Sequence, residues 1–252
     1  MSNTLFSFLL TIIAGLSTMI GSLFIFIRNT NKDKIITSSL AFASGVMVCV
    51  SITDLVPESL KLLITELSSK GSIIISFLSM ILGIIISMII NYYLPDTPNN
   101  NIKNISLYKI GIVSMLAIII HNIPEGIITF LAGSTNTRLG LILASTIAIH
   151  NIPEGISISI PIYYSTDSYK KALLYSLVSS LSEPFGALLA FIFLKDIINN
   201  TILGIMLSLV AGIMISISIT ELIPSSLKYN YKKYFILFFI MGILFMLLKF
   251  II

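Results

Sequence analysis

An all-α integral membrane protein with eight transmembrane helices is the fold class that the sequence predicts, on three observations. Of its 252 residues, 56% are hydrophobic and only 10% are charged, with a mean hydropathy of +1.02. The apolar residues gather in stretches long enough to cross a hydrocarbon core, which takes about 20 residues of helix. The segments between them are mostly short turns, with no room for a soluble domain. A soluble domain carries about 25% charged residues, so most of this surface must face lipid.

In chain order the stretches are 4–27, 35–57, 72–94, 108–130, 140–164, 170–194, 201–224 and 233–252. No Lys or Arg precedes Arg28, so span 1 lacks the basic leader of a signal peptide and is expected to stay in the mature protein. Cys49 stands alone in the apolar run of span 2, which excludes a disulfide framework and a Cys-based zinc site. After span 3 comes the longest polar segment, 95–107, Asn-rich and read as a disordered loop. Tyr92, Tyr93, Tyr108, Tyr163, Tyr164 and Tyr169 lie near predicted span ends, where amphipathic rings anchor at the interface.

The distribution of basic residues sets the orientation. With the N-terminus outside, the cytoplasmic loops hold Arg28, Lys32, Lys34, Lys103, Lys109, Lys170, Lys171, Lys228, Lys232 and Lys233. The other side holds Lys61, Lys70, Arg138, Lys195 and Lys249. Ten against five predicts that both termini are extracytoplasmic. Enrichment in Ile, Asn and Lys fits an AT-rich bacterial genome, and a multi-pass protein of the cell inner membrane is expected. The net charge of +4 needs only this loop bias and gives no reason to expect a nucleic-acid partner.

Two repeats run through the chain. HNIPEGI occurs at 121–127 and at 150–156. GVMVCVSITDLVPESL from Gly45 returns without gaps as GIMISISITELIPSSL from Gly212. The copies lie in spans 4 and 5 and in spans 2 and 7, so each pair must be antiparallel. This is the pattern of an inverted-topology repeat, associated with alternating-access carriers.

The intramembrane acids carry the chemistry. Glu125, Glu154 and Glu183 fall near the middle of spans 4, 5 and 6, with no basic residue in the interior of those spans. A carboxylate at the bilayer centre costs a few kcal/mol even on lenient scales, so these three must be protonated, hydrated or bound to cations. The two histidines of the chain, His121 and His150, each precede one of these acids by four residues, which puts His and Glu on one helix face. Neutral imidazole with carboxylate suits zinc, iron, manganese and similar divalent ions. Asn122 and Asn151 could ligate a second, harder cation or bond between helices. Pro124, Pro153 and Pro184 lack N–H groups and free the carbonyls of Ile120, Ile149 and Ser180. Asp54 with Glu58, and Glu221, sit near the C-terminal ends of spans 2 and 7, which run outward and inward, as candidate acids of the external and cytoplasmic mouths.

These residues resemble the ZIP (Zrt/Irt-like) metal-transporter family, most nearly its broad-range bacterial subgroup. HNIPEG in span 4, HNIPEG in span 5 and SEPFGA in span 6 look like the family's metal-binding helices, and the likeness covers the whole chain. It implies a single domain, 1–252, with inverted halves 1–94 and 170–252 around spans 4 and 5 at 108–164, a three-plus-two-plus-three arrangement. It also implies an elevator-like movement and a two-metal centre. One site would use His121, Glu125, His150 and Glu154; the other Asn122, Glu125, Asn151, Glu154 and Glu183. The expected cargo is zinc, with iron, manganese, cobalt and cadmium open, and no catalytic cofactor; a homodimer is an open assembly. Two departures matter: segment 95–107 has no His to buffer metal, and Thr220 stands where many members have a His before the span 7 acid.

Two rival classes fit less well. An intramembrane metalloprotease needs H-E-x-x-H on one helix, and here each helix has one His. A proton- or sodium-coupled carrier of an organic solute could use the acids but has no need of His–Glu pairs.

Overall fold

In two helices hydroxyl-bearing and small residues line the inner face and large aliphatic residues point outward, while Leu40, Met47, Ile158, Ile160 and Ile213 fill a central apolar core. Ser72, Ser76, Ser79, Gly83 and Ser87 form the buried stripe of one helix, whose Ile73, Ile74, Phe77, Leu78 and Met88 are exposed. The first helix repeats the pattern, burying Ser7, Thr11, Gly15, Thr18 and Ser22 while exposing Ile13, Leu16 and Ile20. Lipid is as apolar as leucine, so apolar bulk gains nothing by turning inward. Small residues let helices approach closely and gain dispersion contacts.

A computed structural model describes residues 3–27, 31–93, 103–194 and 199–248. Its helices are α1 (Asn3–Phe26), α2 (Lys32–Ile64), α3 (Ser69–Tyr93), α4 (Ile105–Thr135), α5 (Thr137–Thr166), α6 (Tyr169–Phe193), α7 (Asn200–Leu227) and α8 (Lys232–Leu247). The first seven are long and apolar enough to cross a membrane. The eighth has 16 described helical residues, about 24 Å at 1.5 Å per residue. No strand occurs among the described residues. Arg28, Lys195, Lys249 and the stretches 95–102 and 249–252 lie outside them, so the expected loop after span 3 is described only from Lys103.

Some boundaries differ from those the sequence predicts. Asn104 caps α4 by accepting from Leu107 N–H, which starts the helix at Ile105 and makes the end of segment 95–107 helical. Between α4 and α5 the expected gap of several residues shrinks to Asn136. Its N–H bonds to the Ala132 carbonyl and closes α4; its side chain accepts from Arg138 and Leu139 N–H and opens α5. One residue thus satisfies both helix ends.

α1, α4, α5 and α6 all touch one another. α2 packs along α8, and α3 packs along α7. The α3–α7 crossing is backbone to backbone: a Cβ on Gly83 would lie 2.0 Å from the Leu209 carbonyl oxygen, and one on Gly212 2.0 Å from that of Met80. Beside it, Ser208 of α7 meets Ser76 of α3 at 2.7 Å and Ser59 of α2 at 2.5 Å, a buried hydroxyl knot that joins three helices.

The longer repeat has the same local backbone in both copies. α2 widens into a π turn at Ser51–Leu55, and α7 does so at Ser218–Leu222. Val56 N–H reaches back to the Ser51 carbonyl, and Ile223 N–H to that of Ser218. Pro57 and Pro224 follow by one residue. A proline ring collides with the carbonyl four residues before it, and a widened turn lets a helix pass over that obstacle. Asp54 and Glu221 lie inside these turns.

Gly83→Ala and Gly212→Ala should each destabilise the protein by about 1–3 kcal/mol, because backbone cannot yield to the new methyl. Gly71→Ala, whose nearest neighbour would be the flexible Ser68 side chain at 3.2 Å, should not. Thermal unfolding in detergent measures all three; equal midpoints would refute the close crossing.

Candidate metal centre

The two copies of HNIPEG meet where α4 crosses α5. The helices are continuous through Pro124 and Pro153. α6 is interrupted at Leu181 before Ser182 and resumes with Glu183 in its first turn. Proline and glycine bring the elements together. A Cβ on Gly126 would lie 1.9 Å from the Glu183 carbonyl oxygen, and one on Gly186 2.1 Å from that of Ile123, so α4 and α6 touch at the backbone. α1 and α5 touch likewise, Gly155 against Thr18 and Gly21 against Ile152. Ile123 and Ile152 are equivalent in the hexapeptide repeat, as are Gly126 and Gly155. The Ser180 carbonyl, freed by Pro184, faces Gly15 of α1.

These crossings bury His121, Asn122, Glu125, His150, Asn151, Glu154 and Glu183 almost completely. The His and Glu of one hexapeptide share a helix face, yet the close pairs run between helices. His150 Nε2 lies 3.2 Å from Glu125 Oε1, in hydrogen-bonding geometry. His121 Nε2 lies 2.9 Å from Glu154 Oε1 but is not aligned as a hydrogen bond. The imidazoles thus stand where Lys or Arg would have been expected, and α4 and α5 cross-link each other through identical residues.

Asn151 binds the third acid. Its Nδ2 donates to Glu183 Oε2 and to the Ala14 carbonyl, both at 2.9 Å, tying α5 to α6 and α1. Both acceptors demand hydrogens, which fixes the amide so that Oδ1 is left as a buried acceptor without a partner. Asn122 is buried with neither amide atom bonded. Glu125 Oε2, both Glu154 oxygens, Glu183 Oε1 and Nδ1 of both histidines are likewise unbonded. So many unsatisfied donors and acceptors in one place are a cost that a stable core avoids. Most are lone pairs of oxygen or imidazole nitrogen, the donor set that a divalent transition-metal ion takes.

Among the described residues, no three of His, Cys, Asp or Glu form a ready ion cage. The side chains face each other as pairs, so a cation would have to part His121 from Glu154 and His150 from Glu125, displacing the imidazole proton that faces each carboxylate.

The candidate mouth acids stand apart. Glu58 pairs with Lys61 at 2.9 Å on the surface. Asp54 is half-buried beside Thr53, 3.4 Å from its hydroxyl. Glu221 accepts from Asn91 Nδ2 at 2.5 Å, within the field of Lys109, on a cavity of about 350 Å³ that both neighbours help line. Nothing in the linear order points to Asn91 or Lys109 here, since α3 and α4 meet α7 only through the fold.

A family model described as ZIP Zinc transporter matches residues 97–249. The chain is 38% identical to a protein named Zinc transporter ZupT in Clostridium perfringens, over 91% of this chain and 90% of that one. A protein of the same name in Streptococcus mutans is 38% identical over 91% of each chain. One in Chlorobium chlorochromatii is 35% identical over 90% of each.

The two asparagines should respond differently to truncation. Asn151→Ala leaves Glu183 without a donor, while the Ala14 carbonyl keeps that of Ser17, and should cost about 1–3 kcal/mol. Asn122→Ala removes two unbonded polar atoms and should leave the unfolding midpoint unchanged or raised. Thermal unfolding in chelator checks both; equal losses would show that the bonds of Asn151 contribute nothing.

Proposed function

The chain belongs to the ZIP zinc-transporter family, and on that premise we propose that it carries zinc and related divalent transition metals into the cytoplasm. It is a transporter rather than an enzyme, working by alternating access. The observation that carries the reading is the burial of Glu125, Glu154 and Glu183 with His121 and His150, among described helices that place no Lys or Arg beside them. His121, Glu125, His150 and Glu154 would hold one ion. Asn122, Glu125, Asn151, Glu154 and Glu183 would hold a second, with the shared glutamates bridging. The dipole of Asn151 Oδ1 and the free Glu183 oxygen support the second site. Iron, manganese, cobalt and cadmium are compatible with the same ligands.

Alternating access draws support from the matched π turns around Asp54 and Glu221 and from the mirrored glycine contacts of α1 with α5 and α6 with α4. The ten-to-five excess of basic residues favours external termini in the inner membrane. Asp54 and Glu58 would then meet metal outside, and Glu221 would release it inside.

Glu125→Ala and Glu154→Ala should abolish zinc uptake into right-side-out vesicles while the protein still inserts, because both sites lose a shared ligand. Native-rate uptake by either variant would remove the centre from the mechanism. Uptake by inverted but not right-side-out vesicles would reverse the orientation.

Charge orders the two sites. Three carboxylates with one divalent ion leave −1, and with two ions leave +1; in a low dielectric either residue of charge is costly. The singly loaded state becomes neutral by keeping one proton, most simply on Glu183, which only the Asn-containing site uses. The His-containing site should therefore fill first. Calorimetric titration with zinc should find one tight and one weaker site, with Glu183→Gln losing only the weaker. Two equal tight sites, or loss of the tight one in the variant, would refute the order.

A further inference from the structure

A lateral groove of about 650 Å³ opens between α1 and α5 on one side and α2 and α8 on the other, away from the metal centre. Phe24 of α1 and Ile27 just past its end, Ile35 and Phe42 of α2 and Phe238 and Met241 of α8 make most of its wall apolar. Its volume lies within the range of small-molecule sites, about 300–1,000 Å³. One end is polar. There Lys34 stands over the rings of Tyr234 and Tyr231, with Nζ 5.1 and 5.7 Å from the centroids, and Asn31 donates to the Tyr231 hydroxyl at 2.9 Å. No carboxylate lies within ion-pair distance of Lys34 among the described residues. Lys32, Lys228, Lys232 and Lys233 occupy the adjacent helix ends, against Asp33 alone in those segments.

We propose that this groove binds one anionic phospholipid, its phosphate at Lys34 and one acyl chain along Phe42, Phe238 and Met241. An apolar slot with a cationic mouth at a helix-end plane has the charge and polarity profile of such a lipid, and basic residues at that depth attract anionic headgroups. The mouth aromatics suit the interface as well, since their rings are apolar and their hydroxyls polar. The slot ends on buried Ile156, two residues beyond Glu154 on α5. The lipid would therefore lie beside the direct contact of α5 with α2, and so sit where any sliding between them must occur. The site does not depend on the metal assignment.

Native mass spectrometry of the full chain, released from micelles of equal phosphatidylglycerol and phosphatidylcholine, tests this. One phosphatidylglycerol should be retained with about fivefold preference, the worth of one interfacial basic residue. Lys34→Gln should abolish the preference and Lys34→Arg restore it. Ser38→Phe, which fills the slot, should reduce retention of both lipids. Lys170→Gln, at the start of α6, should change nothing. Equal retention of both lipids by the native chain, preference surviving Lys34→Gln, retention unmoved by Ser38→Phe, or loss with Lys170→Gln would overturn the proposal. So would a lipid-free dimer that Ser38→Phe dissociates, which would give the groove to a second copy.

Discussion

The crossed pairing of His121 with Glu154 and of His150 with Glu125 is the contact on which the rest of the structure depends. Each carboxylate is buried among described helices that offer it no ammonium or guanidinium, and each imidazole is its compensation. The pairing works only if α4 and α5 approach closely with their hexapeptides in opposite directions. It also requires α1 and α6 to close the outer sides. The glycines do that closing: Gly126 and Gly186 let α6 in against α4, and Gly155 and Gly21 let α1 in against α5. Side chains there would force backbones apart, lengthen the His–Glu contacts and admit water or lipid to the acids.

Close approach in turn follows from the solvent. In water, a serine stripe such as Ser72, Ser76, Ser79 and Ser87 would face outward; in lipid it faces inward and becomes both spacer and glue. The hydroxyls bond to carbonyls three or four residues back, as Ser44 and Ser51 do, or to one another, as Ser59, Ser76 and Ser208 do. The same economy explains the π turns. Interrupting a helix in hydrocarbon exposes backbone groups that nothing can satisfy; widening it by one residue preserves most of the bonds and leaves Asp54 and Glu221 on irregular backbone.

A centre held together by its own acid–imidazole pairs has a useful property for a carrier. The paired side chains of the proposed centre satisfy part of each other's demand, so the core is tolerable as it stands. The remaining free oxygens would make the proposed cation-bound core favourable. A fully satisfied set would bind nothing, and a fully unsatisfied one would not fold. Asn151 shows the compromise within one side chain, with its hydrogens committed to structure and its oxygen unspent.

Much was legible without the fold. The helical membrane class follows from hydropathy and span length, because those depend on composition alone. The identity of the buried donors followed from the cost of acids in hydrocarbon, and the duplicated HNIPEG and the ZIP likeness from the string itself. Helix ends were less legible: Asn136 gave no warning that it would serve two helices, since capping depends on which residues its neighbours leave unbonded. The pairing of donors was not legible at all. Spacing four apart puts His121 beside Glu125 on one face, yet His121 meets Glu154 and His150 meets Glu125 across the crossing. Local sequence determines which face a side chain occupies. Only the distance and direction of the neighbouring helix, set here by glycine contacts between segments far apart in the chain, decide what that face meets.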